Sequence, residues 1–367
     1  MKITSVSVYK KDLPYVGGRY LWGAGEVIAV ADTTVVVIGT DAGLEGCGEC
    51  CPIGGNYLAA YAEGVRAAAP RLAKALLGED PRQIGRIEAL MDRALKGHGY
   101  AKAAFDAACW DLLGQACGQP LWMLFGGKLS QSAPTYRVAP QKPPAEMVAE
   151  IARHRASGYR QFQIKVGADW SGDIQRIHDG VAALEPGELA FADANTGWRV
   201  DEAIRVCRAV RDLDLFIEQP CLTYEECLQV RARTDLPMKL DECVTDLFMA
   251  ERVVADRAAE AVCVKVSKQG GLTKAKRLRD YLAEHSLPMV VEDTWGGEIV
   301  TAAQAHLAVS TPAHLLVNST DLHNYNVGST GQPGPVMREG RLHAPDGPGL
   351  GVTPDYESLG APVAVYR

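Results

Sequence analysis

Six residues at the ends of short apolar runs could do chemistry together: Lys165, Asp193, Asn195, Glu218, Asp241 and Lys265. The runs close on Gln163-Ile164-Lys165, Asp193-Ala194-Asn195, Glu218-Gln219-Pro220, Asp241-Glu242, Lys265-Val266-Ser267-Lys268 and Glu292-Asp293. Alternate side chains of an extended segment share a face, so Gln163 stands with Lys165, and Asp193 with Asn195. A single acid at such an end reads as a cap for the next helix, and a single lysine as a solvated charge. Acids on three successive runs, with a lysine run on either side, are hard to obtain from capping. Three ionised carboxylates cannot share a dry site without a cation. Asp193, Glu218 and Asp241 are therefore expected to hold a divalent ion, and all-oxygen ligation suits Mg²⁺ or Mn²⁺. Such an ion on a substrate carboxylate stabilises an enediolate and eases removal of the α-proton. It also lowers the pKa of a nearby lysine. One of Lys165 and Lys265 can then act as base, and the other as acid on the opposite face.

The elements that must position these residues are legible in outline. Apolar runs at Ala133–Val138, Phe162–Val166, Leu189–Asp193, Leu215–Glu218, Met238–Asp241, Val262–Val266, Met289–Glu292 and Leu315–Asn318 alternate with helical stretches such as Glu146–Ala156, Asp201–Leu213 and Lys274–His285. Strands alternating with helices predict a parallel sheet. The repeat of about 23 to 29 residues fits a (β/α) barrel, whose chemistry sits at the C-terminal ends of the strands. A doubly wound sheet would want a Gly-rich phosphate turn after its first strand, and the sequence has none there. Ahead of the barrel, Val6 and Val8 alternate with Ser5 and Ser7, and Thr34–Ile38 is β-branched, so both segments predict antiparallel strands. Gly17-Gly18 and Gly23-Ala24-Gly25 bound a loop between them. Residues 57–125 read as helical, with Asp80-Pro81 as an N-cap and N1 proline and a stop at Gly118-Gln119-Pro120. The expected domains are an α+β cap over 1–128, a barrel over 129–328, and a Pro/Gly-rich segment over 329–367 that returns to the cap.

Composition narrows the class. The chain has 367 residues, 47% of them apolar, enough for a large core. No apolar run reaches the roughly 18 residues that span a bilayer, and Met1–Thr4 starts no signal-peptide core. The net charge of −7 argues against a sequence-independent nucleic-acid binder. No membrane partner is expected, and the expected location is the cytoplasm. The ten cysteines fall largely in apolar segments and read as buried free thiols. Cys47-Gly48-Glu49-Cys50 has no second CxxC or histidine pair to complete a zinc site.

The set Lys165, Asp193, Asn195, Glu218, Asp241 and Lys265 resembles the signature of the enolase superfamily, in its muconate-lactonising type with a lysine on both the second and the sixth barrel strand. Mandelate racemase is less similar, because no histidine ends the seventh run. The resemblance implies a modified (β/α)₇β TIM barrel with an α+β N-terminal capping domain, and a catalytic Mg²⁺, with Mn²⁺ as substitute. Cys50-Cys51-Pro52-Ile53-Gly54 with Tyr57, Gly97–Lys102, Glu218–Glu225 and Glu292–Gly297 look like the branch acting on proline derivatives. That implies a lyase removing water from cis-3-hydroxy-L-proline to give Δ1-pyrroline-2-carboxylate. The alternative on the same residues is 2-epimerisation of a proline derivative such as hydroxyproline betaine. In the same reading Gln163, Asn195, Tyr57, Asp293, Thr294 and Asp321 meet the substrate or support its binding, and Trp22 shares the cap loops with Tyr57. Asp321 stands where the epimerases carry a tryptophan, and its carboxylate suits a secondary ammonium. The implied partners are a small amino-acid substrate and further copies of the chain in a homo-oligomer.

Overall fold

The structure, a computed structural model, describes residues 1–367 apart from the Ala24 side chain. Strand β1 (Ile3–Pro14) buries Val6 and Val8 and leaves Ser5 and Ser7 half-buried, as its alternation requires. Strands β2 (Tyr20–Trp22) and β3 (Glu26–Ile28) form a hairpin where the sequence reads as a loop. Three-residue strands are too short to show an alternation. Strand β4 (Val30–Thr40) pairs antiparallel with β1 and with β5 (Glu45–Cys50). Helices α1 (Ala62–Leu76), α2 (Ile84–Ala94) and α3 (Gly99–Cys117) cover one face of this sheet. Helix α3 comes very close. A Cβ on Gly48 would stand 2.0 Å from the Ala104 carbonyl oxygen, so β5 needs glycine there and α3 needs small residues. Asp80-Pro81 does not cap α2. Asp80 bonds the amide of Arg82 and pairs with its guanidinium, so the chain completes a turn before the helix starts at Ile84.

The barrel follows a two-residue strand, β6 (Ala133–Pro134). Its strands are β7 (Tyr136–Ala139), β8 (Gln161–Lys165), β9 (Leu189–Asp193), β10 (Phe216–Glu218), β11 (Met238–Leu240), β12 (Ala261–Lys265), β13 (Met289–Glu292) and β14 (Leu316–Asn318). They form one parallel sheet in chain order, and a bridge between Thr135 and Ser319 nearly closes the ring. Residues 329–367 add β15 (Gly331–Gln332), β16 (Val336–Arg338), β17 (Arg341–His343), β18 (Thr353–Pro354) and β19 (Ala364–Tyr366). Strand β17 pairs with β6, and β19 with β1.

Two buried acids of the cap hold the starts of barrel helices. Glu49 on β5 accepts from the Gly297 and Val300 amides at 2.8 and 3.0 Å, at the head of the helix Glu298–Val309. Asp106 on α3 accepts from the Thr273 amide at 2.9 Å, at the head of the helix Leu272–Glu284. Carboxylates are favoured at both places by the unpaired amides and the helix dipole. These contacts seat the cap on the barrel. Among the described residues, no helix is long and apolar enough to cross a membrane.

Candidate active site

Strand register builds the site. Lys165 on β8 is paired with Asp193 on β9, and Asp193 with Glu218 on β10. Across the ring, Lys265 on β12 is paired with Glu292 on β13, and Asp241 directly follows β11. Strands β8 and β12 stand four places apart in a ring of eight, so the two lysines face each other over the acids. The cavity between them is lined from the barrel by Gln163, Lys165, Asp193, Asn195, Asp241 and Lys265, and from the cap by Tyr20, Trp22, Ile53 and Tyr57. Asp293, Thr294, Trp295 and Tyr325 also belong to its wall.

The acids and lysines are buried and interlocked. Lys165 Nζ donates to Asp193 Oδ2 at 2.5 Å and to Asn195 Oδ1 at 3.0 Å. Lys265 Nζ donates to Asp241 Oδ2 at 2.6 Å and to the Tyr57 hydroxyl. Lys268 donates to Asp241 Oδ1 at 2.8 Å. Burial alone would lift the Asp241 carboxyl, yet the ammonium groups of Lys265 and Lys268 hold it well below the usual carboxylate range. Glu218 goes the other way. Burial and the neighbouring Asp193 charge push it up to about 7, against the pull of Lys239 and Lys165. Burial disfavours charge on Lys165 and Lys265 as well, but the facing carboxylates outweigh it and raise both.

The donor set fits a hard divalent ion. Ligand atoms of Glu218, Asp241 and Cys263 lie within 4.8 Å of one another. The Cys263 thiol is pushed well up by burial, and a protonated thiol is a poor ligand for a hard cation. Asp193 is the cross-strand neighbour of Glu218, but its Oδ2 is turned to Lys165, and its Oδ1 accepts the Asn195 amide at 2.9 Å. Buried carboxylates whose only local counter-charges are lysines are the environment a dication would neutralise.

The remaining expected residues divide. Gln163 donates to Glu218 Oε2 at 2.9 Å and so braces a carboxylate. Asn195 links Lys165 to Glu242, donating to Glu242 Oε1 at 3.0 Å. Tyr57 donates to Asp241 Oδ2 at 2.8 Å from the cap. Asp293 lines the cavity, but its oxygens accept from the Ser267 amide and hydroxyl and from the Thr294 amide. Burial pushes its carboxyl up to about 6. Asp321 is not brought into the cavity. It is fully buried behind the wall, where its Oδ2 accepts from Tyr159 at 2.7 Å, Asn324 at 2.9 Å and Arg137 at 3.0 Å. Lys239 is a site residue that the sequence reading overlooks. It has no exposed surface, and its Nζ lies 2.8 Å from Glu218 Oε1. A lysine in the middle of the apolar run Met238-Lys239-Leu240 was the available signal.

The chain is similar to known proteins over its whole length. Residues 25–126 match the mandelate racemase/muconate lactonizing enzyme N-terminal domain, and residues 146–359 the enolase C-terminal domain-like model. The chain is 50% identical to a cis-3-hydroxy-L-proline dehydratase of Roseibium aggregatum, over 100% of both chains. A solved mandelate racemase/muconate lactonizing enzyme from Roseovarius nubinhibens ISM superposes with a TM-score of 0.97 at 64% identity, covering 100% of this chain and 98% of the other. A second one from that organism, complexed with magnesium, gives 0.96 at 40% identity over 100% of both. Fold, site and similarity together make the chain an enzyme of the mandelate racemase/muconate lactonizing enzyme family, within the enolase superfamily.

Proposed function

We propose that this enzyme is a Mg²⁺-dependent hydro-lyase that dehydrates cis-3-hydroxy-L-proline. The observation that carries the proposal is the pair of buried lysines on opposite walls of an acid-floored cavity, in a chain 50% identical to a dehydratase of that compound. Asp193, Glu218 and Asp241 would hold the ion. Mg²⁺, when bound, supplies positive charge where the substrate carboxylate gathers electrons as the α-proton leaves. In the cis isomer the hydroxyl shares a ring face with the carboxylate, so the α-proton lies on the other face. Elimination is then anti, with one lysine taking the proton and the other protonating the departing hydroxyl. The enamine so formed tautomerises to Δ1-pyrroline-2-carboxylate. Asn195 holds the Lys165 ammonium in place, and Tyr57 does the same for Lys265.

A second reading, 2-epimerisation of a betaine, is favoured by the aromatic walls. Tyr20, Trp295 and Tyr325 line the cavity with ring centroids 5.2 and 5.7 Å apart along the series, and aromatic faces attract a quaternary ammonium. The test is incubation with Mg²⁺ and either cis-3-hydroxy-L-proline or hydroxyproline betaine, read by mass spectrometry and by chiral separation. Loss of one water from the amino acid, with little epimerised betaine, supports the dehydratase. Epimerised betaine with no loss of water favours the second reading.

A further inference from the structure

Among the described residues, two unpartnered buried side-chain polar atoms belong to the cavity wall: the indole Nε1 of Trp22 and the hydroxyl of Tyr325. Trp22 is 4% exposed. It ends β2, at the tip of the cap hairpin, and its ring stands edge-on to Tyr57 at 5.3 Å. The tip is fixed against the barrel rim. A Cβ on Gly23 would stand 2.6 Å from Asn195 Cβ and 3.0 Å from the Ala194 carbonyl oxygen, so only a glycine lets the hairpin sit this close. The hairpin tip that carries Trp22 is therefore held against the rim at Ala194 and Asn195, beside Asp193, and a buried donor without a partner calls for an acceptor.

We propose that Trp22 donates this hydrogen bond to the 3-hydroxyl oxygen of the substrate and thereby selects hydroxylated over plain proline. The proposal rests on the dehydratase reading and names a specificity residue within it. Chemistry narrows the acceptor. An indole N–H donates and cannot accept, so it cannot serve the ring ammonium. The Tyr325 hydroxyl can accept, and it suits that group. The substrate carboxylate belongs at the floor, beside Asp193, Glu218 and Asp241 at the strand ends. Trp22 comes from the cap, which forms the roof. The remaining acceptor on the ring is the hydroxyl oxygen. A bond there also steadies the leaving group while a lysine protonates it. A site built around such a donor favours the ligand that carries the acceptor, because only that ligand gains the bond.

The experiment compares the Mg²⁺-loaded parent with Trp22→Phe, which keeps an aromatic ring and removes the N–H, and Trp22→His, which keeps a ring N–H. The readouts are kcat/KM on cis-3-hydroxy-L-proline and the inhibition constant of L-proline, which has no hydroxyl. Trp22→Phe should lower kcat/KM about tenfold or more and leave the L-proline constant within about twofold, and Trp22→His should recover part of the loss. An unchanged kcat/KM, or an equal loss on both compounds, overturns the assignment and leaves the dehydratase reading standing. A parent that releases no water overturns both. Thermal melts check folding. Should neither variant fold, the ¹⁵N-indole resonances of Lys165→Ala are read instead, in a protein that cannot turn the ligand over. cis-3-Hydroxy-L-proline must then shift one resonance that L-proline leaves in place, and equal shifts overturn the assignment.

Discussion

Lys239 places an ammonium with no exposed surface beneath Glu218, 4.7 Å from the Phe191 ring centroid. Its charge helps a buried carboxylate stay ionised. Lys239→Met keeps the length and removes the charge, so Glu218 holds its proton more tightly and competes less well for a cation. Mg²⁺ binding at neutral pH, measured by calorimetry, should weaken about tenfold or more; an unchanged affinity would show that Lys239 is filler. Asp321 makes the opposite case. It pairs with Arg137, whose side chain is only 12% exposed, and not with anything in the cavity. Asp321→Ala strands that guanidinium and should cost about 3–5 kcal/mol of stability, while the ratio of kcat/KM values for the amino acid and its betaine stays unchanged. A changed ratio with an unchanged melting temperature would return Asp321 to the substrate. The sequence could not separate these roles. Lys165, Asp193, Glu218 and Lys265 end strands, where alternation fixes which way a side chain points. Asp321 lies three residues beyond β14, where alternation no longer applies, and the pairing of β13 with β14 shifts register.

The strands carrying the acids were legible because each is a short apolar run with a polar end. Leu189–Asp193 and Met289–Glu292 coincide with β9 and β13. The β2–β3 hairpin escaped because each strand is three residues long and Gly23-Ala24-Gly25 between them reads as a loop, yet it supplies Tyr20 and Trp22 to the cavity. The joint between β5 and the helix Glu298–Val309 was equally hidden, since nothing in a sequence pairs Glu49 with amides some 250 residues away. This joint has a pH signature. Burial pushes the Glu49 carboxyl from its ordinary 4.5 up to about 7, although the amides it accepts from pull it down. A raised acid favours the folded protein below the unfolded value. Its contribution is fully present below pH 4.5 and is lost as pH rises through about 7, a change of about 3 kcal/mol. Glu49→Gln cannot ionise. The stability of the parent relative to Glu49→Gln should therefore fall between pH 4.5 and 7.5 in thermal melts, and a flat difference would mean that the amides, not burial, govern Glu49.

In the whole molecule, cap and barrel close one cavity around a cluster of like charges, and the two lysines depend on that cluster. Removing divalent cations should abolish turnover and Mg²⁺ should restore it, as checked by rates after dialysis against chelator; full activity in excess chelator would dissociate Asp193, Glu218 and Asp241 from metal binding. The barrel and its acid–lysine set could be read from the chain because strand ends repeat along it. The roof could not, because it is made where distant segments meet. The central claim is that Lys165 and Lys265 act as a pair across the substrate ring. It is tested most directly by running the parent, Lys165→Ala and Lys265→Ala on cis-3-hydroxy-L-proline in deuterium oxide with Mg²⁺, and following both loss of water and uptake of deuterium at the α-carbon. Each variant should lose dehydration by about 10³-fold or more, and one of them should still exchange the α-proton, which marks the lysine it retains as the base. Dehydration by either variant within about tenfold of the parent would contradict the two-lysine account.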